Sequence, residues 1–313
     1  MVTRKINDFM SISVLGIFVA DLAFFGEKIP SEGETIIGKK YIIGPGGKGS
    51  NQAVAAAKAG AKTYFISKIG DDYFGSMAKK IYDESEVDYS NVIISKEHST
   101  GAAGILVNKN SGANSINVVP GAAGELQISD IDKATDSIKN SSIFLTQLEA
   151  PLEVVMYSIK VANQHSVKTI LNPAPAAAID KEIFSMVDYF TPNETEASFY
   201  VNHPIETIDD AKQASKKILE MGVKNVIITL GEKGAYFENK NEHHIVSKAN
   251  LNNPILDTTG AGDAFNGGLA VALAEGKNIK ESLNFASATA GLSATKFGTA
   301  NSMPLRDEIE KIL

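Results

Sequence analysis

The feature that most constrains this 313-residue chain is an alternation of two periodicities. Short runs rich in β-branched residues, at 12–18, 63–67, 143–146, 167–171 and 226–230, are separated by amphipathic or alanine-rich stretches of helical period. Strand and helix in strict turn lead to a mainly parallel sheet, because parallel neighbours need a long crossover and the crossover helices cover both faces. The expected fold is therefore α/β: a three-layer, doubly wound, mainly parallel sheet forming a single domain over 1–313. Residues 22–43 and 101–119 break the pattern and read as short strands and turns without a helix. They predict a small inserted β-sheet, drawn from about 17–45 and 98–120, lying as a lid over the sheet edge.

Composition narrows the class of partner. With 43% hydrophobic and 21% charged residues the chain can bury one large core. A net charge of -7 leaves no excess of Lys and Arg to neutralise nucleic acid or an anionic membrane surface, so neither is expected as a partner. The absence of cysteine excludes disulfides, thiolate metal sites and a cysteine nucleophile. Arg4 and Lys5 ahead of the apolar run 12–20 imitate a signal peptide, but Asp8 and Asp21 interrupt it and no small-residue cleavage pattern follows. The run reads as the first buried strand, and cytoplasm is the expected location. His243 and His244 sit in a polar stretch far from any motif and suggest no metal site.

Two helices, predicted over 49–59 and 262–275, begin in glycine turns and stop at Gly60 and Gly276. The first turn, GPGGKG at 44–49, satisfies the G-x-G-x-x-G pattern, with Asp71 about twenty residues on, as in dinucleotide-binding proteins. A nicotinamide-dependent oxidoreductase is thus one reading. Against it, the preceding strand is not the first of the fold, and Asp71 and Asp72 lie beyond a strand end. Nor is it a Walker A loop, since Lys48 is followed by Gly49 before Ser50.

The second turn, DTTGAGDAFNGG at 257–268, puts Gly260, Ala261 and Gly262 directly before Asp263. Small residues let backbone N–H groups close on an anion, and the helix dipole adds to them. A carboxylate beside such a site is repelled by the anion unless it works there as a proton acceptor. Asp263 reads either as that acceptor or, more plainly, as a helix cap.

These motifs resemble the ribokinase family of carbohydrate kinases, also called the phosphofructokinase B family. GGKGSNQAVAAAKAGA (46–61) is similar to the first family signature and DTTGAGDAF (257–265) to the second, with NPAPA (172–176), TPNETEA (191–197) and ITLGEKG (228–234) between them in family order. The resemblance implies an ATP-dependent sugar kinase. Asp263 would take the proton of the attacking hydroxyl, and the backbone of Gly260, Ala261 and Gly262 would hold charge on the transferred phosphoryl group. It implies ATP contacts at Asn193, Thr229, Leu230, Gly231, Glu232, Lys233, Gly234, Gly262 and Ser287. Asn193 and Glu196 match an N-x-x-E element tied to magnesium and phosphate. A monovalent cation, potassium, would lie near Asp257, Thr259, Ser293, Lys296, Gly298 and Ser302, Lys296 serving only through its carbonyl. On the residues alone, Glu196 also reads as a solvated helix charge, and Ser287 as part of a closely packed small-residue helix face.

On the sugar side the resemblance places Val19, Asp21, Gly47, Lys48, Gly49, Ser50, Asn51 and Glu149 beside Asp263, with Lys48 alternatively a surface lysine in a turn. Val19 departs from the family pattern: GIFVAD (16–21) stands where a ribose kinase has GSxNxD. One polar contact to a sugar hydroxyl is missing, which favours a sugar lacking that hydroxyl or a pocket of altered shape, so a 2-deoxypentose competes with ribose. Other sugars and nucleosides fall within the same family. A sugar or nucleotide sensor without chemistry is a third class, and the GAG turn with Asp263 argues against it. Family members often pair their lids, so a homodimer is expected through the apolar strand 22–25.

Overall fold

The computed structural model describes residues 11–251 and 253–313. Arg4, Lys5 and Asp8, weighed above as a leader, lie outside them. Thirteen strands are described: β1 (Ser11–Leu15), β2 (Val19–Gly26), β3 (Lys40–Gly46), β4 (Lys62–Gly70), β5 (Val87–Ser95), β6 (Thr100–Asn108), β7 (Asn114–Gly121), β8 (Ile143–Thr146), β9 (Lys168–Leu171), β10 (Tyr189–Phe190), β11 (Asn225–Thr229), β12 (Ala235–Asn239) and β13 (His243–Val246). Nine form one sheet in the order β13-β12-β11-β10-β9-β8-β1-β4-β5. From β5 through β11 every pairing is parallel, and only β12 and β13 are antiparallel.

Side chains alternate between the two faces of this sheet, as the pleat requires. Ile12 and Val14 of β1, Phe65 of β4, Ile143 and Leu145 of β8 and Ile227 of β11 pack on one side with the helices Lys48–Lys58, Tyr73–Glu84, Ala261–Ala274 and Ile279–Ala294. Leu15, Ile66, Phe144, Val226 and Ile228 pack on the other with Ile128–Lys139, Leu152–Gln164, Glu194–Val201 and Ile208–Glu220. Both faces are covered, so the strands read as near-continuous apolar runs, and the doubly wound expectation is met.

The first strand is shorter than the apolar run suggested. It ends at Leu15 because a Cβ on Gly16 would stand 2.6 Å from the Cα of Gly49, so the chain leaves the sheet to pass a helix start at van der Waals contact. Beyond it, β2 and β3 join β6 and β7 in a separate four-stranded sheet ordered β3-β2-β6-β7, with β2 and β6 parallel and both outer pairings antiparallel. The two interruptions in the alternation are these two strand pairs. Within the large sheet the strand order reverses at β1, whose neighbours are β4 and β8. Such a switch point leaves a crevice at the carboxyl ends of the strands, where ligands bind in folds of this kind.

Candidate functional site

Both glycine-rich helix starts face that crevice. The helix Lys48–Lys58 is entered through Gly47 at φ 88°, and a Cβ there would lie 2.5 Å from the Ile17 carbonyl oxygen. Gly49 has the same constraint against Gly16, whose Cα would be 2.5 Å from an added Cβ. A Cβ on Gly46 would fall 2.3 Å from the Asp21 carboxyl group, so the missing side chain is the space Asp21 occupies. Ser50 N–H donates to the Ile17 carbonyl at 3.2 Å, stitching the helix start to the chain leaving β1.

The helix Ala261–Ala274 begins from Gly260, which holds a left-handed conformation at φ 80°. Its first intrahelical bond runs from Ala264 N–H to the Gly260 carbonyl at 2.9 Å, and Ala261 N–H turns back to the Thr258 carbonyl at 3.1 Å. The N–H groups of Gly262 and Asp263 have no intrahelical acceptor by the geometry of a helix start. A Cβ added to Gly262 would meet no atom within 4 Å. The turn therefore presents backbone donors to open space.

Asp263 does not cap this helix; the structure overturns that simpler reading. Its buried carboxylate accepts from the amides of two consecutive residues of the other helix, Asn51 Nδ2 on Oδ2 at 2.9 Å and Gln52 Nε2 on Oδ1 at 3.0 Å. Burial raises the Asp263 pKa, opposed by the charge of Lys48 and by the Asn51 and Gln52 hydrogen bonds. Lys48 is half-buried rather than a free surface lysine. Burial works against its charge, but the carboxylates of Asp263, Glu149, Glu196 and Asp21 outweigh that and hold its pKa above the usual lysine range. Its backbone N–H donates to Glu149 Oε2 at 2.8 Å. Glu149 is pushed up to about 7, mainly by burial, with Lys48 opposing. Asp21 is pushed up to about 6, by burial and then by the charge of Asp263. Four carboxylates act on one ammonium, so this end of the crevice carries both donors and acceptors, the chemistry that suits a polyhydroxy ligand.

Of the expected sugar-side residues, Asp21, Gly47, Lys48, Gly49, Asn51 and Glu149 converge with Asp263, and Val19 sits beside them on β2, opposite Gly46 and Gly101. Ser50 stands apart. Its hydroxyl is fully buried and accepts from Tyr82 at 3.2 Å, because this position faces the core while its neighbours face the crevice.

A chain of buried amides escaped sequence reasoning. Gln147 donates to Gln52, Gln52 donates to Asn172 and Asp263, and Asn172 donates to the Thr191 carbonyl. Thr191 Oγ1 donates to Asn266 Oδ1 at 2.6 Å, and Asn266 Nδ2 donates to the Gly262 carbonyl at 2.9 Å. Gln147, Asn172 and Thr191 each directly follow a strand, β8, β9 and β10. A polar residue immediately after an apolar run was the available signal.

Among the residues expected to contact ATP, Asn193 and Thr229 form an isolated parallel bridge. Asn193 and Glu196 make a reciprocal capping box, Asn193 Oδ1 accepting from Glu196 N–H at 2.8 Å and Glu196 Oε2 from Asn193 N–H at 2.9 Å. Glu196 is buried, so it is not a solvated charge. Leu230 N–H donates to the Gly234 carbonyl at 2.8 Å, with Gly231 and Gly234 both at positive φ. The side chains of Glu232 and Lys233 turn elsewhere, to Lys248 and to the Glu206 carbonyl, leaving backbone as what this loop offers. Ser287 donates to the Ser247 carbonyl at 3.1 Å, pinning its helix to the segment after β13. Asp257 accepts from Thr259 N–H at 2.9 Å and Gly298 N–H at 3.1 Å, which brings the two halves of the expected cation site together. Ser293 and Ser302 spend their hydroxyls on the carbonyls of Ala290 and Thr299, and Lys296 pairs with Glu308.

The dinucleotide reading fails on two counts. GPGGKG begins inside β3, a strand of the small sheet antiparallel to its neighbour, and Asp71 is tied to the end of β5 by its N–H on the Ser95 carbonyl at 2.9 Å. Asp72, next to it, caps the helix Tyr73–Glu84 by accepting from Gly75 N–H at 2.8 Å and also takes Thr100 N–H at 2.7 Å. A groove of about 690 Å³ beside Phe184, Phe199, Tyr200 and Met221 belongs to the opposite helix layer and holds none of the groups above.

Comparison with known proteins agrees with this geometry. The model of the pfkB family carbohydrate kinases matches residues 10–306. A ribokinase of Haemophilus influenzae is 38% identical over 303 residues, covering 97% of this chain and 98% of that protein. A deoxyribokinase of Salmonella typhi is 35% identical over 305 residues, covering 97% and 99%. The structure of Arabidopsis thaliana ribokinase complexed with ribose and ATP superimposes with a TM-score of 0.90 at 33% identity, covering 97% of this chain and 98% of that one. Fold, site and sequence therefore lead to one statement: this chain belongs to the pfkB family of carbohydrate kinases.

Proposed function

We propose that the protein transfers the γ-phosphoryl group of ATP to a hydroxyl of a pentose, with Asp263 as general base. The observation that carries this is the Asp263 carboxylate itself, held between Asn51 and Gln52 at the mouth of a helix whose preceding Gly262 opens onto free space. The sugar hydroxyl gives its proton to Asp263 as its oxygen bonds to the γ-phosphorus, and the bond to the β-phosphate oxygen breaks to release ADP. Charge growing on the transferred group meets the N–H groups of Gly262 and Asp263 and the positive end of the helix dipole. Lys48 favours the ionised form of the base, against the burial that raises its pKa. Asp21, Asn51 and Glu149 accept and donate to the sugar hydroxyls. Asn193, Thr229 and the backbone of 230–234, with Ser287 on the neighbouring helix, hold the nucleotide.

Magnesium fits as an ion carried by the nucleotide: among the described residues no group of three or more His, Cys, Asp or Glu side chains is disposed to hold a metal. Asn193 and Glu196 would face it through water, and it would neutralise phosphate charge. In the cation segment the hydroxyls of Ser293 and Ser302 and the Lys296 ammonium are engaged, which leaves backbone carbonyl oxygens there, and such oxygens suit potassium. Equal turnover with and without potassium would remove that ion from the proposal.

The small sheet is proposed as a lid. One of its faces carries Phe24, Tyr41, Ile43 and Val119, all exposed in the single chain, which supports a homodimer through paired lids. Sedimentation as a monomer at micromolar concentration would reject it. The reading puts the protein in the cytoplasm, and among the described residues no helix is long and apolar enough to cross a membrane.

A second reading of the substrate has its own observation. Val19 is 3% exposed at the Asp21 end of β2 and brings an apolar wall where a ribose kinase of this family has an amide. A 2-deoxypentose leaves no hydroxyl unpaired there. A coupled ADP-release assay over ribose, 2-deoxyribose, other pentoses, hexoses and nucleosides tests both readings. Turnover confined to hexoses or nucleosides would reject a pentose, and Val19→Asn should shift preference toward ribose.

A further inference from the structure

We propose that Gln52 is a positioning residue for this reaction: its amide, locked by Gln147, fixes the orientation of the Asp263 carboxylate. The inference rests on Asp263 being the base. An amide has a donor end and an acceptor end, and only the donor end can serve a carboxylate. In Gln52 both donors and one acceptor direction are assigned. One N–H of Nε2 goes to Asp263 Oδ1 at 3.0 Å, the other to Asn172 Oδ1 at 3.0 Å, and Oε1 accepts from Gln147 Nε2 at 2.5 Å. Reversing the amide would turn its oxygen onto two acceptors and its nitrogen onto a donor. Asn172 is itself fixed by its bond to the Thr191 carbonyl at 3.0 Å.

Gln147 gives the second, independent observation. Its Oε1 is buried without a hydrogen-bond partner, against Gly16, where an added Cβ would approach it to 2.4 Å. A buried acceptor left unpaired is destabilising, and an apolar side chain of similar length would avoid that cost. What an apolar residue lacks is the Nε2 donor that Gln147 gives to Gln52. Residue type at 147 is thus explained by the orientation of Gln52, and residue type at 52 by the carboxylate. With Asn51 holding Oδ2 from the same helix, rotation of the Asp263 carboxylate is blocked at both oxygens while each keeps a lone pair free. The charged groups facing Asp263 are Lys48 on that helix, Asp21 on β2, Glu149 after β8 and Glu196 on the helix Glu194–Val201.

The experiment compares Gln52→Met and Gln147→Met with wild type and with Asp263→Asn. Gln52→Met should lower kcat about 10- to 100-fold with KM for sugar and ATP nearly unchanged, since misplacing a reacting group costs rate rather than binding. Loss of a donor to the ionised form raises the carboxylate pKa, so the acidic limb of the kcat profile should move to higher pH. Gln147→Met, which does not touch Asp263, should show the same two changes at smaller size, and it carries the test if Gln52→Met does not fold. Folded variants with wild-type kcat and pH profile, or with the loss confined to KM, overturn the inference while Asp263→Asn stays inactive. An active Asp263→Asn would instead bring down the assignment of the base.

Discussion

Two glycine-rich turns open two helices onto the same crevice, one at 46–49 and one at 260–262, and they use the absence of a side chain in opposite ways. At the first turn the space is filled by protein: Gly46 makes room for the Asp21 carboxyl group, Gly47 for the Ile17 carbonyl and Gly49 for Gly16. At the second, Gly260 takes the left-handed conformation of the turn, and Gly262 faces nothing within 4 Å. The same residue type thus marks close packing in one turn and open space in the other. A sequence pattern alone cannot separate these uses, which is why GPGGKG resembled a dinucleotide loop.

Substitutions can break this contrast. The largest effect is expected where the open turn meets chemistry: Asp263→Asn should lower kcat about 10²- to 10⁴-fold, the usual share of a general base, with ATP binding retained. Near-normal turnover would end the comparison. Gly262→Ala should leave the melting temperature unchanged or slightly raised, because alanine suits a helix better than glycine. It should nonetheless lower turnover about 10- to 100-fold if the methyl group enters the space proposed for the phosphoryl group. Gly49→Ala should do the reverse, destabilising the fold by about 1–3 kcal/mol through overpacking against Gly16. Equal melting temperatures for the two alanine variants would show that the turns do not differ as described.

The smallest effect concerns pH. Burial raises Glu149 from 4.5 to about 7 and Asp21 from 3.8 to about 6, so the folded protein binds more protons than the unfolded chain between these values. Stability of the ligand-free protein should therefore fall as pH rises from about 4 to 7. Glu149→Gln should flatten part of that slope in thermal melts across this range, and an unchanged slope would count against a buried, hard-to-ionise Glu149.

Much of the scaffold was legible because buried parallel strands read as apolar runs: β1, β4, β8, β9 and β11 all fall on such runs. The two-residue β10 and the antiparallel β12 and β13 were not legible, being too short or too mixed to show a period. Asp263 stood out because small residues before a carboxylate at a helix start are a local pattern. Gln52, Gln147, Asn172 and Asn266 did not, because an amide's role is set by its partner. Gln52 finds Asn172 and Asp263 at separations of 120 and 211 residues, and nothing near position 52 announces them.

Short backbone connections tie the small sheet to the large one. Only residues 16–18 separate β1 from β2, and only Gly47 separates β3 from the helix bearing Lys48, Asn51 and Gln52. The β2–β3 pair is thus tied closely at both ends, with Asp21 on β2 and the amides that hold Asp263 on the helix that follows β3. On the proposed reading, a sugar bound by Asp21 would pull on the same short connections that seat those amides, so the two halves of the crevice share their backbone supports.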